Sequence, residues 1–215
     1  METKPGKLFR NWTLGAILFA FAGILNTQAA PQIIGFGPPV RYVGIHGTYS
    51  FHVVAAGRGL RYHWWNQEID ADDGHAIPSE LGFGVLTPRL RVTDAQDTRD
   101  YNGFYWCEVT DVTGQSAVTP HAQCVVVAPP TFLEQPDSQT AATGSPVTLS
   151  IAVNAHAPVP VKYQWFFNSR PIIGATRPTL SFARANVRRQ GAYNCRVKTI
   201  GGTNFSSTAY LTVTP

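Results

Sequence analysis

Apolar and polar residues alternate along short segments of the chain, as they do in strands with one buried face. The segments Tyr49–Val53 and Val147–Ile151 both show this period of two residues. No segment after residue 30 sustains a helical period, and 19 Gly and 16 Pro supply turns between short strands. The pattern predicts an all-β fold built from antiparallel β-sandwiches.

One pattern of residues occurs twice. Residues 62–66 read YHWWN and residues 163–168 read YQWFFN, and a Gly-x-Tyr-x-Cys motif follows each copy, at Gly103–Cys107 and at Gly191–Cys195. A short Pro-containing linker at 128–131 separates the copies. This self-similarity predicts two domains, at about residues 31–128 and 129–215.

The repeated motifs resemble those of tandem immunoglobulin-superfamily domains, of the I-set-like kind common in exported bacterial proteins. The resemblance is closest from Pro130 to Pro215. It implies that Trp64 and Trp165 pack in the two cores. It also implies that Tyr105 and Tyr193, two residues before the Cys, form a corner hydrogen bond.

The inter-sheet disulfide of such domains is not available to this chain. Val53 and Ile151 stand where a second-strand Cys would be needed. Because a disulfide contributes about 2–4 kcal/mol and a buried aliphatic side chain about 1.5–3 kcal/mol, the exchange is close to neutral. We therefore expect Cys107 and Cys195 to be small, buried, inert side chains.

Cys124 receives a different interpretation. If Val125 and Val127 point inward like the apolar residues of the last strand of the second domain, Cys124 points outward. An outward Cys in an exported chain is a candidate for an intermolecular disulfide. The alternatives are a bulged last strand that buries the thiol, or a contact with the neighbouring domain.

Residues 1–30 have the organisation of a secretory signal peptide. Three basic residues precede an apolar segment from Trp12 to Leu25, and small residues follow before Pro31. The rival interpretation is an uncleaved anchor, but spanning a bilayer takes roughly 20 apolar residues. We expect an exported protein, secreted, periplasmic or at the cell surface, that does not span the membrane after cleavage.

Strand parity predicts an aromatic surface on the first domain. If Trp64 and Cys107 are buried, alternate residues of the same strands project from the opposite side of the sheet. These are His63, Trp65, Phe104, Trp106 and Glu108, with Cys124 and Val126 beside them. We call His63, Trp65, Phe104 and Trp106 the outer aromatic face.

Three interpretations of the outer aromatic face remain open. A contiguous aromatic patch marks a protein contact, including self-association. Flat rings beside polar groups also suit the stacking of sugars. Alternatively, the long connection from Asn66 to Leu90 covers the face, or a slip of register buries it.

The two predicted domains carry opposite charge. The first has six Arg against ten Asp and Glu, and the second has eight Lys and Arg against two acidic residues, so their net charges are −4 and +6. The basic cluster includes Arg188, Arg189 and Arg196. It suggests attraction to an anionic cell-surface polymer or an acidic partner, or head-to-tail contact between chains, or an ordinary solvated surface. Export argues against nucleic acid as a partner.

The sequence offers no catalytic motif, no metal-ligand spacing of His and Cys, and no cofactor loop. The acidic segment Asp70–Gly74 lacks the spacing of a calcium loop. We therefore predict a non-catalytic binding or adhesion module that contacts a protein partner or itself through the outer aromatic face. The alternatives are a structural spacer or surface component without a specific ligand, and an accessory carbohydrate-binding unit.

Overall fold

A computed structural model describes residues 29–68, 74–77, 84–96 and 102–215. The predicted signal peptide, apart from residues 29 and 30, lies outside the described residues. The same holds for most of the acidic segment and for part of the connection from Asn66 to Leu90.

The described residues of the first half form short strands joined by turns and loops. The strands are β1 (Gln32–Gly37), β2 (Val40–Gly44), β3 (Tyr49–Ala56), β4 (Arg61–Glu68), β5 (His75–Ala76), β6 (Arg89–Val92), β7 (Gly103–Thr110), β8 (Ser116–Val118) and β9 (Ala122–Val127).

The second half repeats this arrangement and adds one short 3-10 helix, Val187–Arg189. Its strands are β10 (Thr131–Glu134), β11 (Gln139–Ala142), β12 (Val147–Ser150), β13 (Ala152–Asn154), β14 (Lys162–Phe167), β15 (Arg170–Pro171), β16 (Thr179–Phe182), β17 (Gly191–Thr199), β18 (Gly202–Phe205) and β19 (Ala209–Thr214).

Each half has its own pair of sheets. In the first, β1, β3 and β6 face a second sheet of order β2-β9-β7-β4-β5, to which β8 adds beside β7. In the second, β10 with β13 and β12 with β16 face a sheet of order β11-β19-β17-β14-β15, with β18 beside β17. The all-β sandwich prediction is confirmed. One edge pair in each half, β2 with β9 and β11 with β19, is parallel rather than antiparallel.

The two cores are organised around one buried tryptophan each. Trp64 lies opposite Cys107 in the β4–β7 ladder, and Trp165 lies opposite Cys195 in the β14–β17 ladder. All four side chains are fully buried. The indole N–H of Trp64 donates to the carbonyl oxygen of Thr87 at 2.9 Å, and that of Trp165 donates to a carbonyl oxygen at the same distance. Each indole is therefore buried without an unpaired donor.

The tyrosines of the repeated motif are also buried. The hydroxyl of Tyr193 donates to the carbonyl oxygen of Arg189, four residues upstream, at 2.7 Å. This is the corner hydrogen bond that the resemblance implies. The hydroxyl of Tyr105 lies 2.7 Å from that of Tyr49. Each tyrosine hydroxyl thus links the core of its domain to a neighbouring segment of the chain by a hydrogen bond.

All three cysteines carry free, buried thiols. Val53 and Ile151, at the positions where an inter-sheet disulfide would begin, are 4% and 5% exposed and belong to the two apolar cores. Burial raises the pKa of Cys107 and of Cys124 to about 12, and that of Cys195 to about 11. The neutral thiol is therefore the favoured form in the folded protein.

The prediction that Cys124 points outward is wrong. Strand β9 pairs with β7 through Tyr105 and Ala122, so Ala122 and Cys124 face the core and Cys124 is fully buried. In the second domain Tyr193 pairs with Ala209, which makes Leu211 the counterpart of Cys124. The sequence alignment of the last strands was displaced by one residue, and a buried thiol cannot reach a second chain.

The two halves meet closely at two glycines. A Cβ at Gly44, the last residue of β2, would overlap the carbonyl oxygen of Ile200. A Cβ at Gly201 would overlap the carbonyl oxygen of Ala128 in the linker. Only residues without side chains permit this approach of backbone to backbone, so the β17–β18 turn of the second half lies against the end of the first.

We expect the thiols to be unreactive in the native protein. An Ellman assay at pH 8 should detect no fast thiol, and three thiols after denaturation in urea, because only the unfolded chain exposes them. A non-reducing gel should show a monomer. Rapid native labelling of one thiol, or a band of twice the mass, would contradict the buried position of Cys124.

The same thiols make stability depend on alkaline pH. Their pKa is raised from an ordinary value of 9.0 in the folded state, so the unfolded chain loses these protons first. The free energy of unfolding should fall as the pH rises from about 9 toward 12. Urea titrations at pH 8 and pH 10.5 measure this free energy. Replacing Cys107 with Ala should make the free energies of unfolding at the two pH values more similar.

Candidate binding surface

The outer aromatic face is formed by alternate residues of β4 and β7. Trp65 and Trp106 are direct partners across the β4–β7 ladder, and both are half-buried, whereas Trp64 is fully buried. His63 and Phe104 also project to this side and are half-buried. The strand register thus brings all four predicted residues together on one side of the sheet.

The rings of this face stack on one another. His63 and Trp65 lie with ring centroids 5.0 Å apart and an interplanar angle of 25°. Trp106 stacks on His121 at 4.4 Å and 22°, and Phe104 lies 6.4 Å from the same imidazole. Each tryptophan is therefore held by a histidine, which restricts its rotamers before any partner arrives.

Polar groups surround the rings. Glu108 pairs with His63 across the ladder, and Phe104 stands between Gln67 on β4 and Gln123 on β9. Val118 of β8, next to Glu108, is exposed. An apolar centre with a polar border is the composition of a protein contact surface.

A short segment covers part of the face. Gly74 lies directly against the indole of Trp106, where a Cβ would overlap the ring, and Ala76 pairs with Trp65 in the β4–β5 ladder. The long connection therefore shields one border of the tryptophans, in line with the alternative raised by its length. Its remaining residues lie outside the described ranges.

Two neighbours of this face differ from the prediction. Cys124 and Val126 were expected beside the aromatic residues, but both point into the core and are buried. Gln123 and Val125 take the outward positions on β9 instead. His121 was missed, because it precedes the strand and has no place in the alternation. The sequence did contain one indication of its position. His121 lies three residues before Cys124, and the strand of Cys124 shares a sheet with the strand of the first Gly-x-Tyr-x-Cys motif.

The corresponding surface of the second domain is different. Gln164 and Phe166 occupy the positions of His63 and Trp65, and across the ladder from them lie Arg196 and Asn194. The guanidinium of Arg196 lies 5.6 Å from the centroid of the Phe166 ring. Phe205 of β18 lies with its ring centroid 6.3 Å from that of Phe166, so a pair of phenylalanine rings with a cation beside one of them replaces the ring cluster of the first domain.

The predicted basic residues lie at two positions along the second domain, before β17 and within it. Arg188 and Arg189 belong to the 3-10 helix before β17, and the guanidinium of Arg189 lies 4.4 Å from the centroid of the Phe182 ring. Arg196 lies five residues further along β17 than Gly191, which is about 17 Å at the usual strand rise. The two arginines of the helix therefore precede the start of β17, whereas Arg196 lies in its second half.

A tight turn follows β7 at the end of the face. The hydroxyl and backbone N–H of Thr113 donate to Asp111 Oδ1 at 2.6 and 2.7 Å, and the backbone N–H of Gln115 donates at 3.1 Å. The hydrogen bond from the Thr113 hydroxyl holds the pKa of Asp111 below its usual range. The turn that positions β8 is thus built around an ionised carboxylate.

Neither a metal centre nor a spanning helix is found in the part of the chain that the structure describes. No group of three or more His, Cys, Asp or Glu there could hold a metal ion. Among those residues, no helix is long and apolar enough to cross a membrane.

The fold and its motifs match known immunoglobulin domains. Residues 129–199 match the family described as immunoglobulin domain. Together with the paired sheets and the buried Trp and Cys of each half, this match shows that the chain has multiple immunoglobulin-like domains.

Solved structures of tandem immunoglobulin domains have the same fold. A three-domain structure of titin matches at 22% identity with a TM-score of 0.57, covering 86% of this chain and 66% of that one. Drosophila OTK extracellular domains 3–5 match at 16% identity with a TM-score of 0.51, covering 86% and 62%. A Dscam structure matches at 19% identity with a TM-score of 0.46. This chain spans about half of that one, at 47% of its length.

Replacing Trp64 or Trp65 with Ala should have unequal effects on stability. The fully buried Trp64 leaves a large cavity, so Trp64→Ala should lower the free energy of unfolding by about 3–5 kcal/mol. The half-buried Trp65 loses fewer contacts, so Trp65→Ala should cost about 1–2 kcal/mol. Urea denaturation followed by circular dichroism measures both. Equal losses would contradict the register described for β4.

Proposed function

We propose that the chain is an exported, non-catalytic binding module, and that the outer aromatic face of its first domain contacts a protein partner or a second copy. The observation that carries this proposal is the ring cluster of His63, Trp65, Phe104 and Trp106. In the second domain, the same positions hold Gln164, Phe166, Ala192 and Asn194. The strand ladders and the buried Trp and Cys of the two domains match, but the outer residues differ. The fold by itself therefore does not require aromatic rings at these positions.

The chemistry of the face suits a protein contact. Tryptophan is favoured at the centres of interfaces because it buries a large area at a small cost in side-chain entropy. Here the stacks with His63 and His121 already restrict both indoles. Binding therefore has less rotamer freedom left to remove, which favours affinity.

The wider context supports the same class of function. The proposed unit has two domains, at about residues 31–128 and 129–215, and each has its own pair of sheets. The first of the two carries the outer aromatic face. The motifs and the segment before residue 31 favour an I-set-like protein exported by a bacterium. The similarity to extracellular domains of OTK is in keeping with export, although at 16% identity it concerns the fold alone.

A structural spacer is the second candidate, and one observation favours it. Gly74 and Ala76 already lie against Trp106 and Trp65, so part of the indole surface is occupied by the chain itself. In a spacer the rings would serve to hold the long connection down. The close junction at Gly44 and Gly201 would likewise serve a fixed spacing between domains.

Site-specific photo-crosslinking distinguishes the two. A photoreactive amino acid at Gln123, beside Phe104, should give an adduct with a second copy or with another protein in cells that produce the full chain. The matched control carries the same group at Gln164, the corresponding outer side of the second domain. The Gln123 adduct should disappear when Trp65 and Trp106 are both replaced by Ala.

Two results would argue against the binding proposal. One is an adduct at Gln123 no more abundant than at Gln164. The other is an adduct that survives the double substitution while circular dichroism shows a folded protein. A large loss of thermal stability in that double variant, comparable with Trp64→Ala, would favour the spacer.

A further inference from the structure

A second surface, away from the outer aromatic face, has the composition of an anion-binding site. An open groove of about 750 Å³ runs along β2 and the turn into β3. Three arginines line it, Arg41 from β2 and Arg89 and Arg91 from β6, and Ile200 of the second domain closes one end. We call this the basic groove. Its arginines are not those of the basic cluster predicted from the sequence.

Arg41 is held in an unusual position for a cation. It lies opposite Cys124 in the β2–β9 ladder, and the thiol of that residue is fully buried in the core. The Arg41 Nε is buried and meets no hydrogen-bond acceptor among the described residues. A buried N–H without an acceptor destabilises the folded protein unless something satisfies it. The residue as a whole is only half-buried and lines the basic groove, so the part of Arg41 beyond the buried Nε is within reach of a ligand there.

The other wall supplies two more guanidinium groups. Arg89 and Arg91 are two residues apart on β6, so both project to the same side, about 7 Å apart along the strand. Both are exposed, and Arg91 pairs with Ser50 of β3. Arg89 Nη2 lies 3.5 Å from Ser50 Oγ, which is at the long limit of a hydrogen bond and holds the guanidinium weakly.

Few opposing charges face these arginines. In the described part of the chain, no Asp or Glu lines the basic groove. The nearby carboxylate of Asp94 is engaged with the imidazole of His46, Nδ1 to Oδ1 at 2.7 Å, at the outer end of the turn. Three arginines thus line one groove in a domain whose net charge is negative, so the positive potential of the groove is a local feature.

We propose that the basic groove binds the oxyanion groups, sulfate or carboxylate, of an anionic polysaccharide. Guanidinium groups bind such planar or tetrahedral oxyanions with two N–H donors each. The hydroxyls of Thr48 and Ser50 line the same groove and can donate to or accept from sugar hydroxyls. The groove is open along its length, which lets a polymer pass through it.

A polysaccharide fits this lining better than an acidic peptide. Peptides that add to a sheet edge are recognised through pockets for alternate side chains. The basic groove instead presents arginines from β2 and β6 and the hydroxyls of Thr48 and Ser50, beside the apolar residues that also line it. The repeated charges of a polymer match several arginines at once, whereas a single small anion would leave most of them unused.

The test compares two variants of equal charge in the full chain. One is Arg89→Gln with Arg91→Gln, and the control is Arg170→Gln with Arg177→Gln, which removes two exposed arginines of the second domain. Binding to immobilised dextran sulfate and to alginate, with neutral dextran as the blank, is measured by surface plasmon resonance at two salt concentrations. The dextran sulfate arm reports sulfate groups, and the alginate arm reports carboxylates.

The groove variant should lose about tenfold or more in affinity, because each lost charge-assisted hydrogen bond is worth that factor. The control should change less than twofold, and added salt should weaken the wild type. Equal losses in both variants would show a response to net charge alone and overturn the proposal. Binding to neither polymer, or binding to polyglutamate as strong as to either polysaccharide, would also overturn it.

Replacing Arg41 with Met gives a second readout. Methionine keeps the apolar stem and removes the unsatisfied N–H, so without ligand the variant should melt at or above the temperature of the wild type. Affinity for the polysaccharide should fall at the same time. If Arg41→Met instead unfolds the protein or leaves affinity unchanged, Arg41 is a structural residue and the groove is not a site.

Discussion

The ladder between β4 and β7 determines the arrangement of the first domain. Once Trp64 faces Cys107 in the core, the period of the strand sends Trp65 and Trp106 to the opposite side of the same sheet. A buried indole with its N–H donated to Thr87 keeps this register, because a shift by one residue would put Trp65 into the core and expose Trp64. The register of the β4–β7 ladder thus determines both which residues form the core and which form the outer aromatic face.

The second domain uses the same frame for a different surface. Trp165 and Cys195 repeat the central pair, and both domains hold their cores together by apolar packing around free, buried thiols. Val53 and Ile151 fill the space near the buried thiols. Since such burial contributes about as much as a disulfide, the frame persists and the outer residues are free to diverge. In the first domain they include two tryptophans stacked on histidines, and in the second they are polar residues beside the Phe166–Phe205 pair.

Charge and aromatic surface are separated in the first domain. The rings lie on the face of the sheet, where alternate residues of adjacent strands form a continuous area. The three arginines of the basic groove come from β2 and β6, which belong to different sheets, and Ile200 of the second domain lines the same groove. The glycines at 44 and 201 let the second domain come close enough for Ile200 to close that groove. The two surfaces can therefore act on different partners.

Local periodicity was enough to predict the sandwiches and the opposite directions of Trp64 and Trp65, because these depend on alternation within a strand, and the recurrence of the Trp and Gly-x-Tyr-x-Cys motifs was enough to predict the repeat. The direction of Cys124 was not available from it, since that depends on which residue of β9 pairs with Tyr105. The stack of His121 on Trp106 joins β7 to the segment before β9, and the lining of the basic groove by Arg41, Arg89 and Arg91 joins segments far apart in the chain. Contacts of this kind arise only when the sheets pack, and alternation carries no information about them.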